Sequence, residues 1–268
     1  MEFMPTLAAD ERLDRVNEQI TLIQKKNGLT FGTDAFLLSA FVRAQKRAVA
    51  VDLGSGTGII PLLLCAKDKI AVAHAVEIQP AFAELIERNA ACNGMQERLL
   101  AHLADVRTLS AAALSTDGVR CEAVDVVTAN PPYMAVDAGA RNRDDEKYLA
   151  RHEVAGTVAD FCACAARLLR SGGSFYCVWR PDRLSVLMRA LVENRLEPKR
   201  MVFIHADEAS EASSVLIEAR RDGAPYCHLL PPLLLHEVES RSLPHRPLSA
   251  RAQKIYDTMS WYDTEEGR

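Results

Sequence analysis

The run Val51-Asp52-Leu53-Gly54-Ser55-Gly56-Thr57-Gly58-Ile59-Ile60 constrains the fold more than any other stretch of this chain. It joins an apolar, strand-like run from Ala48 to Leu53 to a helix-like run from Ile59 to Cys65, so the expected order is strand, glycine turn, helix. Glycines at alternate positions let the backbone turn tightly and approach a ligand without Cβ interference, and the helix N-terminus offers free N–H groups to a carboxylate. The turn lacks both the Lys-Ser/Thr of a P-loop and the G-x-G-x-x-G spacing, which disfavours nucleotide diphosphates as ligands.

Two further strand-like runs end in acids. Val72-Ala73-His74-Ala75-Val76 leads to Glu77, and Leu99-Leu100-Ala101-His102-Leu103-Ala104 leads to Asp105. An acid at the end of the second strand of such a unit can accept both hydroxyls of a ribose. A single acid of this kind is more often a solvated strand end; Asp52, Glu77 and Asp105 at three successive strand ends are harder to dismiss.

A fourth apolar run, Ala123 to Ala129, ends in Asn130-Pro131-Pro132-Tyr133. The prolines fix φ and carry no donor, so the Asn130 side chain and nearby carbonyls become outward-facing acceptors. A planar NH2 group could donate to the Asn130 amide oxygen and the Pro131 carbonyl while its ring stacks on Tyr133. A strand-terminating turn is the alternative, since Asn and Pro are common there.

The remaining pattern alternates. Helices are expected over 80–93, 157–170 and 182–195, and strands over 173–179, 199–205 and 213–220. Such alternation predicts an α/β sheet with helices on both faces. The last two strands, joined by a short polar stretch from Asp207 to Ala212, should be antiparallel neighbours. Residues 1–47 read as an N-terminal extension capping the cofactor side, 48–222 as the catalytic domain and 223–268 as a Pro- and Arg-rich C-terminal extension.

With 268 residues, 49% hydrophobic and 25% charged, the chain has the make-up of a soluble globular protein. No window is long and apolar enough to span a membrane and the start lacks a signal peptide's regions, which predicts a cytoplasmic protein. The seven cysteines form no Cys-x-x-Cys pair, so packing thiols are expected, without metal or disulfides. A formal charge of -4 counts mildly against non-specific nucleic-acid binding. Local basic groups still offer phosphate contacts: Lys25-Lys26, Lys199-Arg200, Arg241 with Arg246, Arg251 and Lys254, and above all Arg141, Arg143, Lys147 and Arg151. The aperiodic polar stretch from Asp137 to Glu146 reads as a mobile lid or as an unimportant loop.

The glycine turn with Asn130-Pro131-Pro132-Tyr133 resembles the class I S-adenosylmethionine-dependent methyltransferases. Leu29 to Leu38, Glu146 to Glu153, Leu168 to Phe175 and Pro231-Pro232-Leu233 are similar to segments of the bacterial tRNA1(Val) adenine-37 N6-methyltransferases. The resemblance implies a Rossmann-like sheet of seven strands with an antiparallel edge strand. It implies S-adenosylmethionine binding by Thr33, Asp34, Asp52, Gly54, Ser55, Gly56, Gly58, Glu77, Ile78, Asp105, Val106 and Asn130, with an N-cap role as the alternative for Thr33 or Asp34. It implies methylation of the exocyclic amino group of adenine in RNA, at adenine 37 of a tRNA anticodon loop, by a monomer in which Asn130, Pro131, Pro132 and Tyr133 would be catalytic. Asn-Pro-Pro-Tyr equally suits guanine N2, DNA adenine or a protein glutamine, and an RNA-binding protein of the same fold without the reaction is the further alternative.

Overall fold

Short apolar runs rich in Val, Ala, Ile and Leu, buried on both faces, form the centre of the fold, as expected where helices cover both sides of a sheet. A computed structural model of the chain describes residues 5–26, 32–115, 121–132 and 156–261. An N-terminal hairpin, β1 (Glu11–Arg15) and β2 (Thr21–Lys25), precedes helix α1 (Thr33–Phe41). The alternating part follows: β3 (Val49–Leu53), α2 (Ile59–Ala66), β4 (Val72–Glu77), α3 (Pro80–Cys92), β5 (Leu99–Leu103) and β6 (Val124–Ala129). After them come α4 (Val158–Leu168), β7 (Leu169–Trp179), α5 (Leu184–Glu193), β8 (Leu196–His205) and β9 (Ala212–Arg221). The tail adds β10 (His228–Leu229), β11 (Leu233–Leu234) and α6 (Ala250–Thr258).

The main sheet runs β10-β8-β9-β7-β6-β3-β4-β5, with β11 also paired to β8. Strands β5, β4, β3, β6 and β7 are mutually parallel, and those consecutive in the chain are joined by crossovers, which are right-handed by default. Strand β9 is antiparallel to both β7 and β8, as the short connection requires. It therefore lies one position in from β8. The strand count is nine rather than seven, because β10 and β11 extend the β8 edge. These are two-residue pieces, too short for any periodicity to announce them.

Local chemistry sets the helix ends. Thr157 and Asp160 form a reciprocal capping box at the start of α4, satisfying donors that would otherwise be orphaned. Pro80 opens α3, where its missing N–H costs nothing. Lys69, 6% exposed, donates to the carbonyls of Ser39 (2.7 Å), Ala40 (2.8 Å) and Val42 (2.8 Å). An ammonium is thus seated at the negative end of α1.

One core joins α1, α2, the inner face of α3 and α6 to one face of the sheet; α4 and α5 pack on the other. Residues from 1–47, from the alternating part and from the tail share the first core. Phe36 stacks on Tyr256 with centroids 4.3 Å apart, and Phe41 meets Trp261 edge-on at 5.4 Å. Beneath α1, buried Arg200 bonds Glu218 and lies 4.4 Å over the Phe41 ring.

Candidate active site

The side chains that matter gather at the C-terminal ends of β3, β4 and β6, where open parallel sheets form their ligand crevice. Gly54, Gly56 and Gly58 all have left-handed backbones, with φ of 68°, 57° and 81°, a region that L side chains enter only at a cost. The turn is pinned to the neighbouring strand: the Gly54 and Ser55 N–H groups both donate to the Val76 carbonyl, at 2.9 and 3.0 Å. Glu77 receives the Gly56 N–H on one carboxylate oxygen and the Gln79 N–H on the other, both at 2.9 Å.

Asp52 lies behind this turn and is 2% exposed. Ser55 Oγ donates to its Oδ2 and Thr128 Oγ1 to its Oδ1, each at 2.6 Å. Burial pushes the carboxyl up to about 7; the two hydroxyls pull against that shift and the Glu77 charge adds to it. Loss of solvation opposes ionisation, while hydrogen bonds to the anion favour it.

Asp105 stands two residues beyond β5. Its carboxylate takes the backbone N–H of Arg107 at 2.8 Å and the guanidinium Nε at 2.9 Å, and these bonds hold its pKa below the usual range. Val106 is buried and Ile78 half-buried. Asn130 and Pro132 are half-buried and Pro131 buried, immediately after β6. Asp52 of β3 is the cross-strand partner of Thr128, so Asn130 stands one strand over from the glycine turn, a lateral step of about 4.8 Å.

The structure does not bring every expected residue into this group. Thr33 shares a hydrogen bond with Tyr256, and Asp34 accepts from Ser214 of β9 at 3.1 Å. Both sit at the same end of the sheet but farther along it. Neither is the helix cap: that position is Gly32. Tyr133, Arg141, Arg143, Lys147 and Arg151 lie outside the described residues. Arg200 is corrected as a phosphate contact, because it is 4% exposed and committed to Glu218. Arg241 and Arg246 converge on the buried Asp207, and Lys25 pairs with Asp10 and Glu11.

Three contributors to the site were missed in the sequence. Thr128 is a hydroxyl inside an apolar strand. Asn89, an amide on the apolar face of α3, donates to the Thr57 carbonyl and exchanges hydrogen bonds with the Ile23 backbone. Phe161 of α4 faces Gly54, where an added Cβ would meet its ring at 3.2 Å. A polar residue in an otherwise apolar pattern was the available signal for the first two.

A Cβ built on Gly56 meets nothing within 4 Å. The turn therefore has an open face beside Glu77, with carboxylate acceptors suited to a ligand carrying hydroxyl and cationic groups. Among the described residues no cluster of three His, Cys, Asp or Glu could hold a metal ion.

The model of the family described as "Methyltransferase small domain" matches residues 25–198. A tRNA1(Val) (adenine(37)-N6)-methyltransferase of Phocaeicola vulgatus is 26% identical over 200 residues, 75% of this chain and 80% of its own length. A protein of the same name from Porphyromonas gingivalis is 27% identical over 193 residues, 70% and 73% of the two chains. Among solved structures, a predicted O-methyltransferase from Agrobacterium tumefaciens superposes with a TM-score of 0.66 at 22% identity, covering 86% of this chain and 98% of that one. The M. jannaschii tRNA m1G37 methyltransferase gives 0.52 at 13% identity, covering 80% and 58%. These structural likenesses carry the fold alone.

Proposed function

The chain belongs to the methyltransferase small domain family, and from that premise we propose that it methylates the exocyclic amino group of adenine in RNA, at adenine 37 of a tRNA anticodon loop, using S-adenosylmethionine. The observation that carries the reading is the position of Asn130-Pro131-Pro132 at the end of β6, beside a left-handed glycine turn whose neighbouring strand ends in Glu77. The names of the relatives support the choice of adenine 37.

When bound, S-adenosylmethionine supplies an electrophilic methyl group on a sulfonium sulfur. The open face over Gly56 and the acceptors around it fit such a molecule. Glu77 would hold the cofactor's ribose hydroxyls while keeping its two backbone donors, and the glycine turn would leave room for the methionine portion. Asp105 accepts from the cofactor's adenine amino group. The Asn130 amide oxygen and the Pro131 carbonyl accept the two N–H groups of the target amine, which turns its lone pair toward the methyl carbon. With the cofactor bound, the rate would come from holding the reacting atoms close together, and from the Asn130 and Pro131 acceptors placed where positive charge develops. No strong base is required, because the methylated nitrogen is acidic and loses its proton afterwards. An extruded loop base costs less to present than a paired one.

The test is incubation with radiolabelled cofactor and separate pools of tRNA, rRNA, DNA and protein, followed by digestion of the labelled pool. Label in N6-methyladenosine from tRNA is expected. Label confined to methylguanosine, DNA or protein glutamine would replace this substrate, and Asn130→Ala is expected to abolish transfer while leaving cofactor binding within about threefold.

A further inference from the structure

The Asp52 carboxylate is the midpoint of an unbroken polar connection across three strands. It begins at Thr128 on β6, passes through Asp52 on β3 to Ser55 (2.6 Å at each step), and continues from the Ser55 N–H to the Val76 carbonyl on β4 at 3.0 Å. Thr128 is fully buried and Ser55 is 6% exposed. Neither hydroxyl has water to turn to if the carboxyl partner is disturbed, and O–H···O bonds of 2.6 Å lie at the short, strong end of the usual range. Thr128 lies two residues before Asn130 on the strand that presents the proposed amine acceptor. Valine would fill the same volume in this apolar strand, so the hydroxyl is not explained by packing.

We propose that Thr128 is a positioning residue for the cofactor: through the buried Asp52 it fixes Ser55, and with it the glycine turn, in register with the strand that ends at Asn130. The inference rests on the reading of this turn as the S-adenosylmethionine site. With Thr128 donating, one carboxylate oxygen is held toward β6 and the other is left to orient Ser55. Without it, the carboxylate can rotate about its side-chain bonds, Ser55 follows, and the turn samples orientations that do not accept the ligand. The connection makes Ser55 and Thr128 one energetic unit although they do not touch each other.

Calorimetric titration of the full chain with S-adenosylmethionine tests this without any RNA. Thr128→Val is expected to raise Kd about tenfold, and Thr128→Ser, which keeps the hydroxyl, to stay within about threefold of the parent. Ser55→Ala is expected to cost about tenfold. The double variant should also cost about tenfold rather than a hundredfold, because either change alone already breaks the unit. Thermal melts of each variant identify any that are unfolded, and Thr128→Ala, which also removes the hydroxyl, takes the place of an unfolded Thr128→Val in the same titration. Unchanged affinity in folded Thr128→Val, failure of serine to rescue, or multiplicative losses would overturn the proposal while leaving the cofactor site standing. A parent protein that binds no S-adenosylmethionine would remove the site assignment and the positioning role together.

Discussion

Asn89 holds Thr57 in place: its Nδ2 donates to the Thr57 carbonyl at 2.9 Å from within α3. The same side chain accepts the Ile23 N–H at 2.7 Å and donates to the Ile23 carbonyl at 3.2 Å, so one fully buried amide ties the N-terminal hairpin to the glycine turn. Replacing it by Ala leaves three buried backbone groups unpaired. A loss of about 2–4 kcal/mol is expected from such unmet groups, read by urea denaturation, with faster amide exchange at Ile23. Wild-type exchange at Ile23 in a folded Asn89→Ala protein would refute this account.

Asp52 gives stability an unusual pH slope. Its folded-state pKa, raised to about 7 from 3.8, means that between those values the folded chain holds a proton the unfolded chain has released. Stability from this group is therefore greatest at low pH and falls as pH rises toward 7, then levels off. Relative to Asp52→Asn, which has no such proton, the parent should lose on the order of 2–3 kcal/mol between pH 5 and 8. Parallel stability curves for the two proteins would contradict it.

Gly54 and Gly56 should fail differently when given a methyl group. Both have left-handed backbones, for which Ala costs roughly 1–2 kcal/mol. At Gly54 the new Cβ also meets Phe161 at 3.2 Å, whereas at Gly56 it points into open space. Gly54→Ala should be the less stable protein by thermal melting. Gly56→Ala should melt closer to the parent and lose more affinity for S-adenosylmethionine; the reverse order would show that the open face is not the ligand's.

Burial, and secondarily the Arg200 charge, push Lys69 down to about 7. The unfolded chain holds this proton up to its ordinary value of 10.5, so stability from this group rises with pH between about 7 and 10.5. Lys69→Met should remove that slope. It should also destabilise the fold by about 2–3 kcal/mol, because the last carbonyls of α1 lose their donor. A Met variant as stable as the parent at pH 7 would show that those carbonyls find other partners.

Between residues 48 and 221 much of the architecture was legible, because β3, β4 and β6 are short runs rich in Val and Ala and α2, α3 and α4 open on Gly58, Pro80 and the Thr157 cap. Strands β7 and β8 each open on a leucine followed by polar residues, earlier than their apolar cores suggest. The hairpin was hidden. Strand β1, Glu-Arg-Leu-Asp-Arg, is mostly charged, and its buried Glu11 finds its partner, Arg88 on α3 at 2.8 Å, far away in the sequence. Glycine turn and acids marked the candidate site through spacing. Thr128 and Asn89 did not, since a lone polar residue in an apolar element acquires meaning only when the fold supplies its partner.

The stacking of Phe36 on Tyr256 sets an order of events during synthesis. Helix α1 is made before the main sheet, yet the ring that stacks on its Phe36 comes from α6, which follows every described strand. This part of its apolar face stays uncovered until Tyr256 has been made, a long-separation closure of the kind that slows folding. A ribosome stalled before α6 would carry a nascent chain whose α1 still lacks the Tyr256 ring over Phe36.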